Sequence, residues 1–319
     1  ERIIAAACQM DYPLDRFEVQ VLDDSTDPVA AQVAREACEK WAAKGYPIQY
    51  IHRTNRSGYK AGALEHGLGI CRGELVAIFD ADFVPPRDML RNTVDYFTDP
   101  KIGMVQVRWD HLNRNASLLT RSQAIFLDGH FVIEHTARNR SGRFMHFNGT
   151  AGIWRKETIR DAGGWQHDTL TEDLDLSYRA QMKGWKFVYL PQYSAPAELP
   201  PEMCAFKQQA HRWTKGSVQT CLKLLPTILR SNMGWRIKLE AFFHLTNTFV
   251  YPLMALLTLL MYPTFFTYFS PFKPHSTEQH LFGCSLFILA TCSAGTFFVY
   301  AQKDLFAIGA GWRTVLKLL

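Results

Sequence analysis

The sequence contains no internal repeat and no low-complexity tract, which excludes repeat architectures. Its seven cysteines (Cys8, Cys38, Cys71, Cys204, Cys221, Cys284 and Cys292) show no CxxC spacing and no His-paired metal pattern. No zinc or redox role follows from them; scattered cysteines in a cytosolic enzyme stay reduced. No signal peptide is visible. Charge is missing from two long stretches, because 241–272 and 281–302 hold no Lys, Arg, Asp or Glu. About 20 apolar residues cross a hydrocarbon layer of ~30 Å, so spans over 241–268 and 281–302 are expected. A pair of buried core helices is the alternative.

What is present is unevenly spread. The 319 residues suffice for an α/β core of roughly 200 residues with about 100 left over. A mean hydropathy of −0.13 averages a charged first part with an uncharged last part. The net charge of +5 is modest and points to no nucleic-acid partner. Arg230, Arg236 and Lys238 precede the first uncharged stretch, Lys303, Arg313 and Lys317 follow the second, and Lys273 and Glu278 lie between. The positive-inside rule puts both flanks, and with them the soluble part, in the cytosol. The sequence opens within a helix-like pattern at Glu1 and stops at Leu319, so a preceding strand is expected to be missing and the chain to be a fragment.

Three parts are expected: 1–200 as a cytosolic domain, 201–235 as amphipathic interfacial helices, and 236–319 as a membrane region. In the first, strands over 18–22, 48–52, 74–79 and 103–108 alternate with helices over 28–44, 60–71 and 86–97. A last strand is expected over 186–190. Alternation with short links predicts a doubly wound, mostly parallel sheet, with ligands beyond the carboxyl ends of its strands. A long helix is expected over 117–140. Thr171 is the expected N-cap of a helix to 183, and a further helix runs from 203 to about 225.

Acidic clusters fall at two strand ends. Asp80 and Asp82, after the apolar ELVAIF, suit a divalent cation such as Mg²⁺ or Mn²⁺, which prefers hard oxygens. Helix capping is the plainer role for so short a pair. Asp23 and Asp24 can hold a base or ribose, or cap the helix at Pro28. Lys60 is a candidate for base or phosphates, or a solvated lysine. Glu172 and Asp173 begin a helix; Asp173 is the first choice for a general base, Glu172 the second. A helix dipole lowers an acid's pKa, so desolvation must oppose it at Asp173. Gln209, Arg212 and Trp213 follow at helical spacing. Arg212 can clamp a diphosphate and Trp213 offer an apolar face to a sugar, unless both serve as membrane contacts. His211 reads as a surface or packing residue.

Together DDSTD, KAGAL, DAD, FNGTAGIWR, TED and QxxRW resemble the processive family 2 glycosyltransferases of the cellulose synthase and cellulose-synthase-like (glucan and mannan synthase) group. The resemblance covers about residues 1–225 by motif. It implies a nucleotide-diphospho-sugar transferase fold, an inverting reaction, and UDP-glucose or GDP-mannose as donor. It also implies a growing β-linked polysaccharide as acceptor, and accessory export subunits as partners. By the same resemblance, Asp23 or Asp24 with Lys60 would hold the nucleoside. Asp80 and Asp82 would hold diphosphate and metal, and Phe147, Asn148, Gly149 and Thr150 would line the acceptor. Asp173 would be the base, while Gln209, Arg212 and Trp213 would grip donor and chain. The sequence departs from that family's full pattern in lacking its first strand, preceding membrane helices and further spans. A non-processive glycolipid synthase and a non-catalytic nucleotide-binding subunit are the competing readings.

Overall fold

In the computed structural model the described residues are 1–268 and 277–306. The amino-terminal layer pairs strand β1 (Val19–Asp23) with β2 (Ile48–His52) in parallel. Helices α1 (Arg2–Cys8) and α2 (Pro28–Ala42) cover it through Ile4, Cys8, Ala37, Cys38 and Trp41. Asp27 caps α2, its carboxylate accepting the Val29 N–H at 2.9 Å, with Pro28 in the first turn. Asp23 and Asp24 are thereby free of the capping role.

A second sheet has the order β3 (Leu75–Ile78), β5 (Gly152–Arg155), β4 (Ile102–His111), β6 (Lys186–Ala197). It corrects the expectation of a mostly parallel sheet. β5 runs antiparallel to both β3 and β4, and only β4 and β6 are parallel. The reversal has a consequence for residues 147–151. Gly152 pairs with Ile78 and with Gln106, so the segment before β5 is delivered to the carboxyl end of β3, where Asp80 begins. The core lies between this sheet and α8 (Glu172–Met182), with Met104, Phe147, Trp154, Ile159 and Leu176 fully buried or nearly so. Trp154 packs edge-on against Phe147 and Phe187, with ring centroids 5.6 and 5.2 Å away. Truncating a tryptophan so placed costs about 3–5 kcal/mol.

The connecting helices are α3 (Tyr59–Ile70), α4 (Met89–Thr93), α5 (Leu118–Asp128), α6 (Thr136–Arg140) and α7 (Lys156–Asp161). The helix expected over 86–97 is shorter, passing into a 3-10 turn over Val94–Thr98. Thr93 contributes to the change, its hydroxyl donating back to the Met89 carbonyl at 2.5 Å. The long helix expected over 117–140 is interrupted by a π-helix over Gly129–His135. Its start is a capping box between Ser117 and Thr120.

α9 (Met203–Arg230) exceeds its expected length by about one turn and buries Gly216, Thr220, Cys221, Leu224 and Ile228. That face packs with Phe144, Leu174 and Tyr178 of the catalytic layer and with Ala241 and Leu245 of α10 (Trp235–Leu245). The apolar stripe anticipated for a membrane interface is therefore mostly covered by protein. α11 (Val250–Tyr268) and α12 (Thr277–Phe306) hold the two uncharged stretches. Among the described residues no single helix is long and apolar enough to cross a membrane. One pair, Trp235–Leu245 with Asn247–Met261, passes together by length and composition, bent by 47° at the break. The span expected over 241–268 is thus broken between α10 and α11, whereas 281–302 falls within the one helix α12. Lys273, Arg313 and Lys317, used to orient them, lie outside the described residues.

Candidate active site

Four segments converge at the carboxyl end of β3. The Lys60 ammonium, in the first turn of α3, is ion-paired with Asp80 and donates to the Gly149 carbonyl at 3.0 Å. The Asp80 N–H donates to the Thr150 hydroxyl at 2.9 Å. Gly149 turns with φ +81°, and a Cβ there would lie 3.0 Å from Asp173 Oδ2 and 3.4 Å from Lys60 Nζ. Both the backbone conformation and the space at this point favour glycine. Ala151, two residues on, also has a positive φ of 54°, a strained backbone held inside the sheet.

The loop is fastened from beneath. The buried Gln106 accepts the Asn148 N–H at 3.2 Å and donates to the Thr150 and Ala151 carbonyls at 3.1 and 2.9 Å. The Phe147 N–H donates to the Ser177 hydroxyl at 2.8 Å, and that hydroxyl donates to the Asp173 carbonyl at 2.6 Å. Neither Gln106 nor Ser177 carries a sequence motif. Gln106 interrupts the apolar run of Met104, Val105 and Val107 in β4, and that was the available signal.

Asp173 is pushed up to about 7, first by desolvation and then by the Glu172 carboxylate, while Lys60 opposes the shift. Desolvation therefore outweighs the helix dipole at Asp173. Glu172 is also raised, chiefly by desolvation, with the charges of Lys60 and Arg212 pulling the other way. Thr171 occupies the cap position of α8 without a capping bond; its hydroxyl instead lies 3.1 Å from that of Thr220 in α9.

That contact belongs to a stripe on α9. Gly216, Gln219, Thr220 and Lys223 recur at three- and four-residue spacing, one face of a helix. Gln219 accepts the Leu170 N–H at 2.9 Å, and Lys223 reaches Asp168 and the fully buried Asp175 at 2.7 and 2.9 Å. The docked stripe sets Arg212 one turn earlier, exposed and within electrostatic reach of Glu172. Gln209 and Trp213, half-buried, share that end of α9, and His211 is exposed as expected.

Asp82, exposed at the cleft edge, is still held above the ordinary carboxylate range, first by partial desolvation and then by Asp80. Asp80 and Asp82 together offer the hard carboxylate oxygens that a divalent cation prefers. The residues present thus fit such an ion.

Asp23 and Asp24 sit at the end of β1 with protein partners. Asp23 accepts from Tyr50 at 2.6 Å and from Ser25, bonds that hold it down to about 2 against desolvation. Asp24 is clamped by Arg53 through two guanidinium nitrogens. Beside them opens a cleft lined by Ser25, Thr26, Gln32, Arg35 and His52. Sequence reasoning missed Arg53 and Tyr50, whose partners lie 29 and 27 residues away.

A mixed sheet with acidic groups at the carboxyl end of one strand, a second carboxylate pair at a helix start and an arginine above it make up the candidate site of a GT-A-like fold. Residues 75–271 match the sequence profile of Glycosyl transferase family group 2. The chain is 47% identical over 232 residues to glucomannan 4-beta-mannosyltransferase 1 of Oryza sativa subsp. japonica, covering 72% of this chain and 44% of that protein. It is 46% identical over 232 residues to glucomannan 4-beta-mannosyltransferase 2 of Arabidopsis thaliana, covering 72% and 43%. The chain thus spans less than half the length of these relatives. Among solved structures, the mannosyltransferase PcManGT from Pyrobaculum calidifontis, in complex with GDP-Man and Mn²⁺, superposes with a TM-score of 0.58 at 19% identity, covering 96% of this chain and 83% of that one. S. aureus TarS superposes at 0.52 and 14% identity, covering 77% and 40%. The chain belongs to glycosyl transferase family group 2, in its cellulose-synthase-like branch.

Proposed function

We propose that this chain is the catalytic part of a membrane-bound, inverting mannosyltransferase that extends a β-linked polysaccharide from GDP-mannose. The observation that supports this most directly is Asp173, raised to about 7 and packed against Gly149 and Glu172 within reach of Lys60. A base poised near neutrality takes the proton of a sugar hydroxyl as that oxygen attacks the anomeric carbon. The new C–O bond forms as the bond from C1 to the diphosphate oxygen breaks, and the nucleoside diphosphate departs with the electron pair.

The other residues take roles consistent with their surroundings. Of the four residues expected to line the acceptor, Phe147 is fully buried in the core and Thr150 is buried behind Asp80, so Asn148 and Gly149 are left on the acceptor side of Asp173. Arg212, with Gln209 and Trp213, faces the diphosphate and the sugar. Asp23 and Asp24, held by Tyr50 and Arg53, adjoin the residues lining the cleft offered to the nucleoside, while Lys60 contacts Asp80 and Gly149. A divalent cation held by Asp80 and Asp82 would neutralise charge on the departing diphosphate. The choice of mannose over glucose rests on the names of the relatives, since no side chain singled out here distinguishes the two sugars. Membrane attachment rests on α11, where Tyr251, Leu253, Leu257 and Leu259 are each more than half exposed on an uncharged helix. By charge distribution the catalytic layer is cytosolic and the polymer leaves through the membrane, assembled with export partners.

The test is incorporation of label from GDP-mannose and, separately, from UDP-glucose by membranes carrying the chain. Alkali-insoluble product cleaved by β-mannanase is expected from GDP-mannose. A chloroform-soluble product would replace the polysaccharide acceptor with a lipid, and label from UDP-glucose alone would replace the sugar.

A further inference from the structure

We propose that His130, His135 and His146 form a binding site for one transition-metal ion of the zinc class, separate from the carboxylate site. One ring nitrogen from each lies within 4.8 Å of the others. The π-helix produces this. Its i to i+5 register brings His135 edge-on to His130, with ring centroids 4.5 Å apart, where an α-helix would splay the rings. His146, arriving from the strand side, lies 4.8 Å from His135 and 5.4 Å from His130 by the same measure.

Three further features point to a ligand. Glu134 sits 2.9 Å from His130 Nδ1, which directs the lone pair of Nε2 into the cluster. Carboxylate–imidazole pairs of this kind orient metal-binding histidines. His135 is fully buried and neither ring nitrogen has a partner, and the Nδ1 of His146 is also unpartnered. Unpaired buried nitrogens are uncommon in folded proteins. Finally, the Asn148 amide nitrogen faces His130 Nε2 and His146 Nε2 at 3.3 and 3.1 Å, while its Oδ1 is buried without a partner. Turned over, an assignment ordinary data leave open, that amide adds an oxygen to the donor set.

An all-imidazole set selects zinc, copper, nickel or cobalt and disfavours the Mg²⁺ or Mn²⁺ suited to Asp80 and Asp82. His146 immediately precedes Phe147–Thr150, so the ion would fasten the acceptor loop to the π-helix as a positioning device and takes no part in the transfer.

The test is metal analysis of the purified full chain in detergent, after equilibration with one equivalent of Zn²⁺ and removal of free ion. About one tightly held zinc per chain is expected, with an X-ray absorption spectrum showing the multiple scattering of imidazole. Co²⁺ in its place is expected to give the intense visible bands of a four-coordinate site. His135→Gln and His146→Gln should lose the ion while Asp80→Asn keeps it. No retained zinc-class ion in the unaltered chain, a shell without imidazole, or full retention by His135→Gln overturns the proposal. The spectrum of the unaltered chain decides the matter if the variants do not fold.

Discussion

Gly216 of α9 lies directly against Thr171 at the start of α8, where a Cβ would meet Thr171 Cγ2 at 2.5 Å and its backbone N at 2.8 Å. Two helices distant in sequence meet here backbone to backbone. The approach brings the Arg212 end of α9 over Glu172 and Asp173, so a small residue one turn beyond Arg212 sets the geometry of the site.

Gly216→Val is therefore expected to push α9 outward. Overpacking of this kind costs about 1–3 kcal/mol. Because the clash involves backbone, relaxation must move a helix. We expect a donor KM raised about tenfold, with a lower Tm, each degree of displacement being felt at Arg212. Unchanged donor kinetics in a folded Gly216→Val protein would separate the docking of α9 from donor binding.

A second prediction concerns the floor of the loop. Gln106→Leu removes the partner of the Asn148 N–H and the donor to two carbonyls in a buried place. Leaving such groups unpaired costs about 1–3 kcal/mol. Loss of stability by thermal melting is expected together with a weakened acceptor affinity, since Asn148 and Gly149 are released together. A stability loss with acceptor KM intact would assign Gln106 to packing alone.

Motifs made much of this site readable in advance, and their limits are physical. Asp80, Asp82 and Asp173 stand at a strand end and a helix start as expected, and short-range sequence carries that information. The reversed strand β5 was not anticipated, because its antiparallel insertion between β3 and β4 depends on a chain that leaves and returns over some 40 residues. The histidine cluster was invisible for a different reason. A spacing of five falls on no common face of an α-helix, so only the π register, which sequence patterns do not announce, assembles it. Likewise 241–268 reads as one continuous span, while the break near Thr246 bends it by 47°.

The carboxylates of Asp80 and Asp82 predict a metal requirement. EDTA is expected to stop label transfer from GDP-mannose, and Mn²⁺ or Mg²⁺ to restore it. Asp82→Asn should raise the metal concentration needed for half activity by about tenfold or more, the worth of one charged ligand at roughly 1.4 kcal/mol per tenfold. Metal-independent transfer by the EDTA-washed chain would remove both residues from this role.

The last prediction follows from the proton on Asp173. Its carboxyl is pushed up to about 7 by desolvation and by Glu172, while the Lys60 ammonium favours the ionised form. A base must be ionised to act, so kcat should rise with pH up to about 7 and level off above it. Replacing Lys60 with Met removes the opposing positive charge, so the rising limb should move to higher pH. Stability should change in the opposite sense. Below the unfolded carboxyl range the group is protonated in both states and contributes nothing. Between that range and 7 the folded state holds a proton that the unfolded state has released, so this group makes stability fall as pH rises. Asp173→Asn should consequently match the parent Tm near pH 4 and exceed it at pH 8, keep donor binding, and lose transfer by a factor of about 10² to 10⁴. Near-normal turnover in that variant would move the base elsewhere, Glu172 being the nearest carboxylate able to take the proton.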